Sequence, residues 1–96
     1  MRVEVHFYGF VRDIVGTCPL LLEAAKTINL RDLLDLLTKR FGERLRERLL
    51  TAKGELEANV RVFVGNNEAL SLDEPLGDGE KAMDVKIFVV SATAGG

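Results

Sequence analysis

Apolar and polar residues alternate from Arg2 to Tyr8, with Val3, Val5 and Phe7 on one side. That period-two pattern predicts a strand buried on one face over residues 2–8. Gly9 and the stretch 11–19, which holds Gly16 and Pro19, are read as breaking it. Residues 20–25 predict a second, weaker strand, and the two make a β-hairpin with a long loop. The period changes after Asn29. Leu30, Leu33, Leu34, Leu37 and Phe41 recur at helical spacing, one stripe of an amphipathic helix. Asn29 stands as its N-cap, and Asp32, three residues on, can reach back to the cap. Lys39 and Arg40 fall in the last turn, where cations suit the helix dipole, and Gly42 can close it.

Residues 43–50 repeat a weaker helical pattern through Leu45 and Leu49, and Lys53-Gly54 signals a turn. Alternation returns over 59–64, with Val60, Val62 and Val64 on one face, followed by a turn at Gly65-Asn66-Asn67 and a short strand over 68–71. Asp73-Glu74-Pro75 and Gly77-Asp78-Gly79 read as turns. The last strand is expected over 84–90, with Val85, Ile87 and Val89 on one side. A hairpin followed by one long helix must bury the helix stripe on one sheet face. The right-handed crossover rule returns the next strand to the same sheet. The expected fold is therefore α+β, a β-grasp with a mixed sheet packed on one main helix over residues 1–90, followed by a flexible tail over 91–96.

If the valines face the helix, then Glu4, His6, Tyr8, Arg61, Phe63, Lys86, Phe88 and Val90 face away from it. Three of the six aromatic residues, Tyr8, Phe63 and Phe88, thus share the uncovered face. An aromatic cluster rimmed by charge marks a protein interface. The bland alternative is that residues 43–52, or a shift of register, cover that cluster.

Composition narrows the chemistry. A formal net charge of −2 over 96 residues argues against nucleic acid as a partner, since such binding needs an excess of cations. Cys18 is the one cysteine, which allows no internal disulfide and fits a reducing, cytoplasmic setting. No apolar run approaches the roughly 20 residues of a membrane span. His6 has no second histidine and no cysteine partner, so no metal site is read here. Lys39, Arg40, Arg44, Arg46 and Arg48, interspersed with Glu43 and Glu47, read as a solvated helical face. No internal acid–base pair stands out, and the chain by itself is expected to catalyse nothing.

The chain runs Ser91-Ala92-Thr93-Ala94-Gly95-Gly96 after the last strand. A diglycine end sets a carboxylate on the thinnest available backbone, with no Cβ to bar a narrow pocket. Six such residues extend roughly 20 Å, enough to thread the active site of another protein. A partner using ATP can activate that carboxylate as an acyl-adenylate for attack by sulfur or an amine.

The opening stretch Phe7-Tyr8-Gly9-Phe10-Val11-Arg12-Asp13-Ile14-Val15-Gly16, the helix start Thr27-Ile28 with Leu30-Arg31-Asp32-Leu33-Leu34, the turn Asp73-Glu74-Pro75-Leu76-Gly77-Asp78-Gly79-Glu80 and the final Gly95-Gly96 together resemble the ubiquitin-like sulfur carriers. The likeness is greatest to the small subunit of molybdopterin synthase and covers nearly the whole chain, with Lys81-Ala82-Met83 looking like a small insertion against that family's pattern. It implies a carrier whose Gly96 is adenylated and thiocarboxylated, with Gly95 and Ala94 threading the tail. The carrier would then donate sulfur in molybdopterin (molybdenum or tungsten cofactor) biosynthesis. The partners implied are the large catalytic subunit of that synthase, in a heterotetramer, and a ubiquitin-activating-type adenylating enzyme that consumes the ATP. No cofactor is bound by the carrier itself. Tyr8 and Phe88 match apolar positions that contact partner proteins, and Phe63 joins them by alternation. Three alternatives stay open: a ubiquitin-like modifier joined to lysines through Gly96, a thiamin-pathway sulfur carrier, and a plain interaction module.

Overall fold

The computed structural model describes residues 1–9, 11–16, 19–25, 28–77 and 82–90. In chain order these form β1 (Arg2–Gly9), α1 (Arg12–Val15), β2 (Leu20–Glu23), α2 (Leu30–Phe41), α3 (Glu43–Leu49), β3 (Val60–Val64), β4 (Asn67–Glu68) and β5 (Ala82–Val89). The five strands make one mixed sheet in the order β2-β1-β5-β3-β4. β1 and β5 run parallel, and the other pairs are antiparallel. This is the β-grasp arrangement expected from the pattern, with the last strand at the centre.

Alternation decides which face is buried. Val3, Val5 and Phe7 of β1, Val60 and Val62 of β3, and Val85, Ile87 and Val89 of β5 are all buried in one core. Leu30, Leu33, Leu34 and Leu37 of α2 complete that core, each such side chain contributing about 1.5–3 kcal/mol on burial. Phe41, the last residue of the helical stripe, is only half-buried, as is Val64. α3 packs against α2 and α1 and buries Leu45 and Leu49. It therefore belongs with the helices, and the aromatic face is left open.

The helix start is fully specified. The Asp32 N–H donates to Asn29 Oδ1 at 2.8 Å, and Asp32 Oδ2 accepts the Asn29 N–H at 3.4 Å. The Leu33 N–H bonds the Asn29 carbonyl at 3.1 Å, while the Leu30 and Arg31 N–H groups reach the carbonyls of Glu74 and Leu72 at 3.0 and 2.8 Å. Thus the N–H groups of Asn29, Leu30, Arg31 and Asp32, which no intrahelical carbonyl can satisfy, each have an acceptor. Two of those acceptors lie on the 72–74 segment, which fastens that long connection under the helix, with Leu72 and Leu76 buried against the core.

Four features differ from the sequence expectation. Gly9 does not break β1 but ends it, paired with Val89. Its φ is +95°, and a Cβ there would overlap the Val89 carbonyl oxygen, so glycine is what lets the two strands stay paired to their ends. The 11–19 stretch holds a short helix, α1, in which the Ile14 and Val15 N–H groups both bond the Val11 carbonyl at 3.1 Å. Val11 and Val15, four apart, are both buried, a pair too short to register as periodicity. The strand expected over 68–71 is only the two residues of β4, because the N–H groups of Leu70 and Ser71 turn to the Glu74 carboxylate. β5 begins two residues earlier than expected. Ala82 and Met83, read as part of an insertion, pair with Arg2 and Val3. Asp78, Gly79 and Lys81 lie outside the described residues.

Gly16 tests the role of Gly9, because its φ is +74° but a Cβ there meets nothing within 4 Å. Gly16→Ala is expected to cost about 1–2 kcal/mol from the left-handed backbone alone. Gly9→Ala adds the overlap with Val89 and is expected to cost more than about 3 kcal/mol. Urea unfolding midpoints of the two variants check this, and equal losses would deny Gly9 its packing role.

Candidate functional site

Among the described residues every buried side chain is apolar, so the interior offers no titratable group and the candidate chemistry is sought on the surface. The uncovered sheet face divides along the strands. At the end where β1 and β5 finish, Tyr8 and Phe88 are direct partners in the parallel ladder. Their rings stack with centroids 4.5 Å apart and planes at 11°. Phe63 of β3 meets the same Phe88 ring edge-on, at 5.7 Å and 83°. These are the offset-stacked and T-shaped geometries that aromatic quadrupoles favour. Phe88 is therefore the centre of the cluster, held from both neighbouring strands. Phe63 and Phe88 are half-buried, Tyr8 is 39% exposed and Val90 55% exposed.

Charge rims this cluster. Lys86 lies opposite Phe63, and Arg61 opposite Phe88, in the β3–β5 register. Arg61 also faces Glu68 of β4 across 3.6 Å. Sequence alternation placed all of these except Glu68 on the face, and the structure brings the three aromatic residues it singled out into one contact group.

The other half of the face is acidic. His6 Nε2 lies 3.1 Å from Glu4 Oε1, and Asp84, opposite Glu4 in the parallel register, completes a group whose ligand atoms all lie within 4.8 Å of one another. The sequence reading weighed only histidine and cysteine as partners for His6. It missed the carboxylates because Asp84 reaches His6 across strands some eighty positions apart in the chain. Beside them Arg2 and Glu23 pair at the long limit of 4.0 Å.

The remaining residues singled out from the sequence do not join this face. Lys39, Arg40, Arg44, Arg46 and Arg48 are exposed around the junction of α2 and α3. Ala94, Gly95 and Gly96 lie outside the described residues, as do Cys18 and Phe10. What the structure gives for the tail is its root: Val90, immediately after β5, on the strand that carries Phe88. No helix among the described residues is long and apolar enough to cross a membrane.

The fold is shared with known structures. SAMP1, the small archaeal modifier protein 1 of Haloferax volcanii, superposes with a TM-score of 0.80 at 17% identity, over 96% of this chain and 98% of that one. A protein described as molybdopterin converting factor, subunit 1, from Pyrococcus furiosus gives 0.72 at 22% identity, over 95% and 99%. A chain of the BexX/CysO complex of Amycolatopsis orientalis gives 0.69 at 22%, over 98% and 99%. No protein-family model matches the sequence, and no curated protein does. These likenesses establish a ubiquitin-like β-grasp, the fold that the resemblance in sequence implied.

The cluster makes an energetic prediction. In a double-mutant cycle with Tyr8→Leu and Phe88→Leu, the stacked pair is expected to show a coupling of about 0.5–1.5 kcal/mol beyond its area. Thermal or urea unfolding of the four proteins measures it. Additive losses would mean that the rings are neighbours without interacting.

Proposed function

We propose that this chain is a ubiquitin-like sulfur carrier. In this reading a ubiquitin-activating-type enzyme binds it and presents ATP to the carboxylate of Gly96. A carboxylate oxygen attacks the α-phosphorus, pyrophosphate leaves, and an acyl-adenylate remains. A hydrosulfide sulfur then attacks the acyl carbon and expels AMP, leaving a thiocarboxylate on Gly96. The loaded tail enters a larger catalytic subunit, with Gly95 and Ala94 offering little bulk to a narrow channel. The sulfur is delivered there to a pterin precursor of the molybdenum or tungsten cofactor. The carrier contributes the reacting terminus and the docking face, while the catalysis belongs to its partners.

The observation that carries this reading is the conjunction of an open aromatic cluster with the strand that leads to the diglycine. Tyr8 and Phe63 flank Phe88, and Phe88 lies on the same strand as the tail root. A partner seated on that cluster is thus seated beside the place where the tail departs. The likeness to the molybdopterin converting factor of Pyrococcus furiosus supports the pterin as acceptor. The likeness to a small archaeal modifier favours a second reading, in which a lysine amine attacks the activated Gly96 and an isopeptide bond forms. The two share every step up to the adenylate.

Intact-mass measurement after incubation with ATP, an adenylating enzyme and a sulfur source tests the proposal. The expected result is replacement of one terminal oxygen by sulfur, abolished by deletion of Gly96. Phe88→Ala is expected to weaken the adenylating enzyme's hold on the carrier by roughly tenfold, as loss of a central aromatic anchor does. An isopeptide-linked lysine in place of the thiocarboxylate would select the modifier. Neither product, with several such enzymes, would remove the carrier reading.

A further inference from the structure

Asn59 stands one residue before β3, where the Val60 N–H turns back to the Glu57 carbonyl at 3.0 Å. It meets Val90 through two hydrogen bonds. The Val90 N–H donates to the Asn59 carbonyl at 2.9 Å, and Asn59 Nδ2 donates to the Val90 carbonyl at 2.8 Å. In a continued antiparallel ladder the second donor would be the backbone N–H of the opposite residue. Here the carboxamide supplies it, so the grip between the two segments extends one residue beyond both strands.

What matters is which atom is held. The Val90 carbonyl belongs to the planar peptide that leads into residue 91, so fixing it fixes ψ of Val90. The bond to the Val90 N–H restrains the other side of the same residue. Apolar burial does not do this work, because the Val90 side chain is 55% exposed. A shallow surface hollow lined by Ala58, Asn59, Arg61 and Val90 opens beside the two bonds, so the root of the tail is reachable from outside. Asparagine suits the position because its amide reaches the carbonyl and donates to it, whereas an aspartate of the same shape would set charge against that oxygen.

We propose that Asn59 is a positioning residue that sets the direction in which the tail ending in Gly95-Gly96 leaves the sheet beside Phe88. Its use in loading the tail rests on the carrier reading above, while the clamp itself does not. A tail root ordered before docking does not lose that freedom when a partner binds, so the clamp acts on affinity.

Asn59→Asp keeps the shape and removes the donor; Asn59→Ala removes both. In heteronuclear NOE measurements on 15N-labelled full chain, the value at Ser91 is expected to fall in both variants, while the amides of β5 keep theirs. The same NOE at Ser91 in wild type and both variants would overturn the clamp. In adenylation assays both variants are expected to raise KM for the carrier roughly fivefold at unchanged kcat, the size of one lost hydrogen bond. An unchanged KM would overturn the positioning role. A wild-type chain that no adenylating enzyme loads would defeat the carrier reading instead, and the NOE comparison would still decide the clamp.

Discussion

The structure depends first on the parallel pairing of β1 with β5, residue against residue from Arg2 with Ala82 to Gly9 with Val89. Every other pairing is built on one edge or the other of this ladder. β2 adds outside β1, and β3 adds outside β5. The ladder also sets which side chains share a face, because the two strands keep the same phase along their full length. Phe7 and Ile87 point to the helix together, and Tyr8 and Phe88 turn outward together. The stacked rings are therefore a consequence of register, and register persists to the end of the strands because Gly9 lets the Val89 carbonyl approach.

The open face inherits its polarity from the same ladder. Glu4 and Asp84 lie opposite each other near one end, and Tyr8 and Phe88 near the other. Glu4, His6 and Asp84 thus lie away from the tail root and the apolar cluster with Arg61 beside it, with Lys86, opposite both His6 and Phe63, between them. Desolvating aromatic rings is favourable, and desolvating carboxylates is costly. The aromatic end is therefore the part of this face that is cheaper to cover, and it lies beside Val90.

Much of this was legible in the sequence. Period-two runs in Val3-Val5-Phe7, Val60-Val62-Val64 and Val85-Ile87-Val89 set the buried face of three strands, and the complementary positions gave the aromatic cluster. Asn29 and Asp32 announced the helix start, because capping is a matter of local spacing. What escaped was non-local or too short for a period. α1 rests on a single buried pair, Val11 and Val15. The end of β4 is set by Glu74 capturing the N–H groups of Leu70 and Ser71, a competition that side-chain alternation does not display. The gathering of Asp84 with His6 and the grip of Asn59 on Val90 need the strand order, which no short window of sequence contains.

The position of β5 has a consequence for how the molecule is made. β5 comes last of the strands in chain order, yet it forms the middle of the sheet, between β1 and β3. Before it arrives, β1 with β2 and β3 with β4 are separate hairpins without a shared ladder, and contacts of such long sequence separation form slowly. The core therefore closes only when β5 inserts between them. The aromatic cluster closes with it, since Phe88 supplies the ring that both Tyr8 and Phe63 touch. The aromatic cluster and the tail root are thus formed in the same folding event.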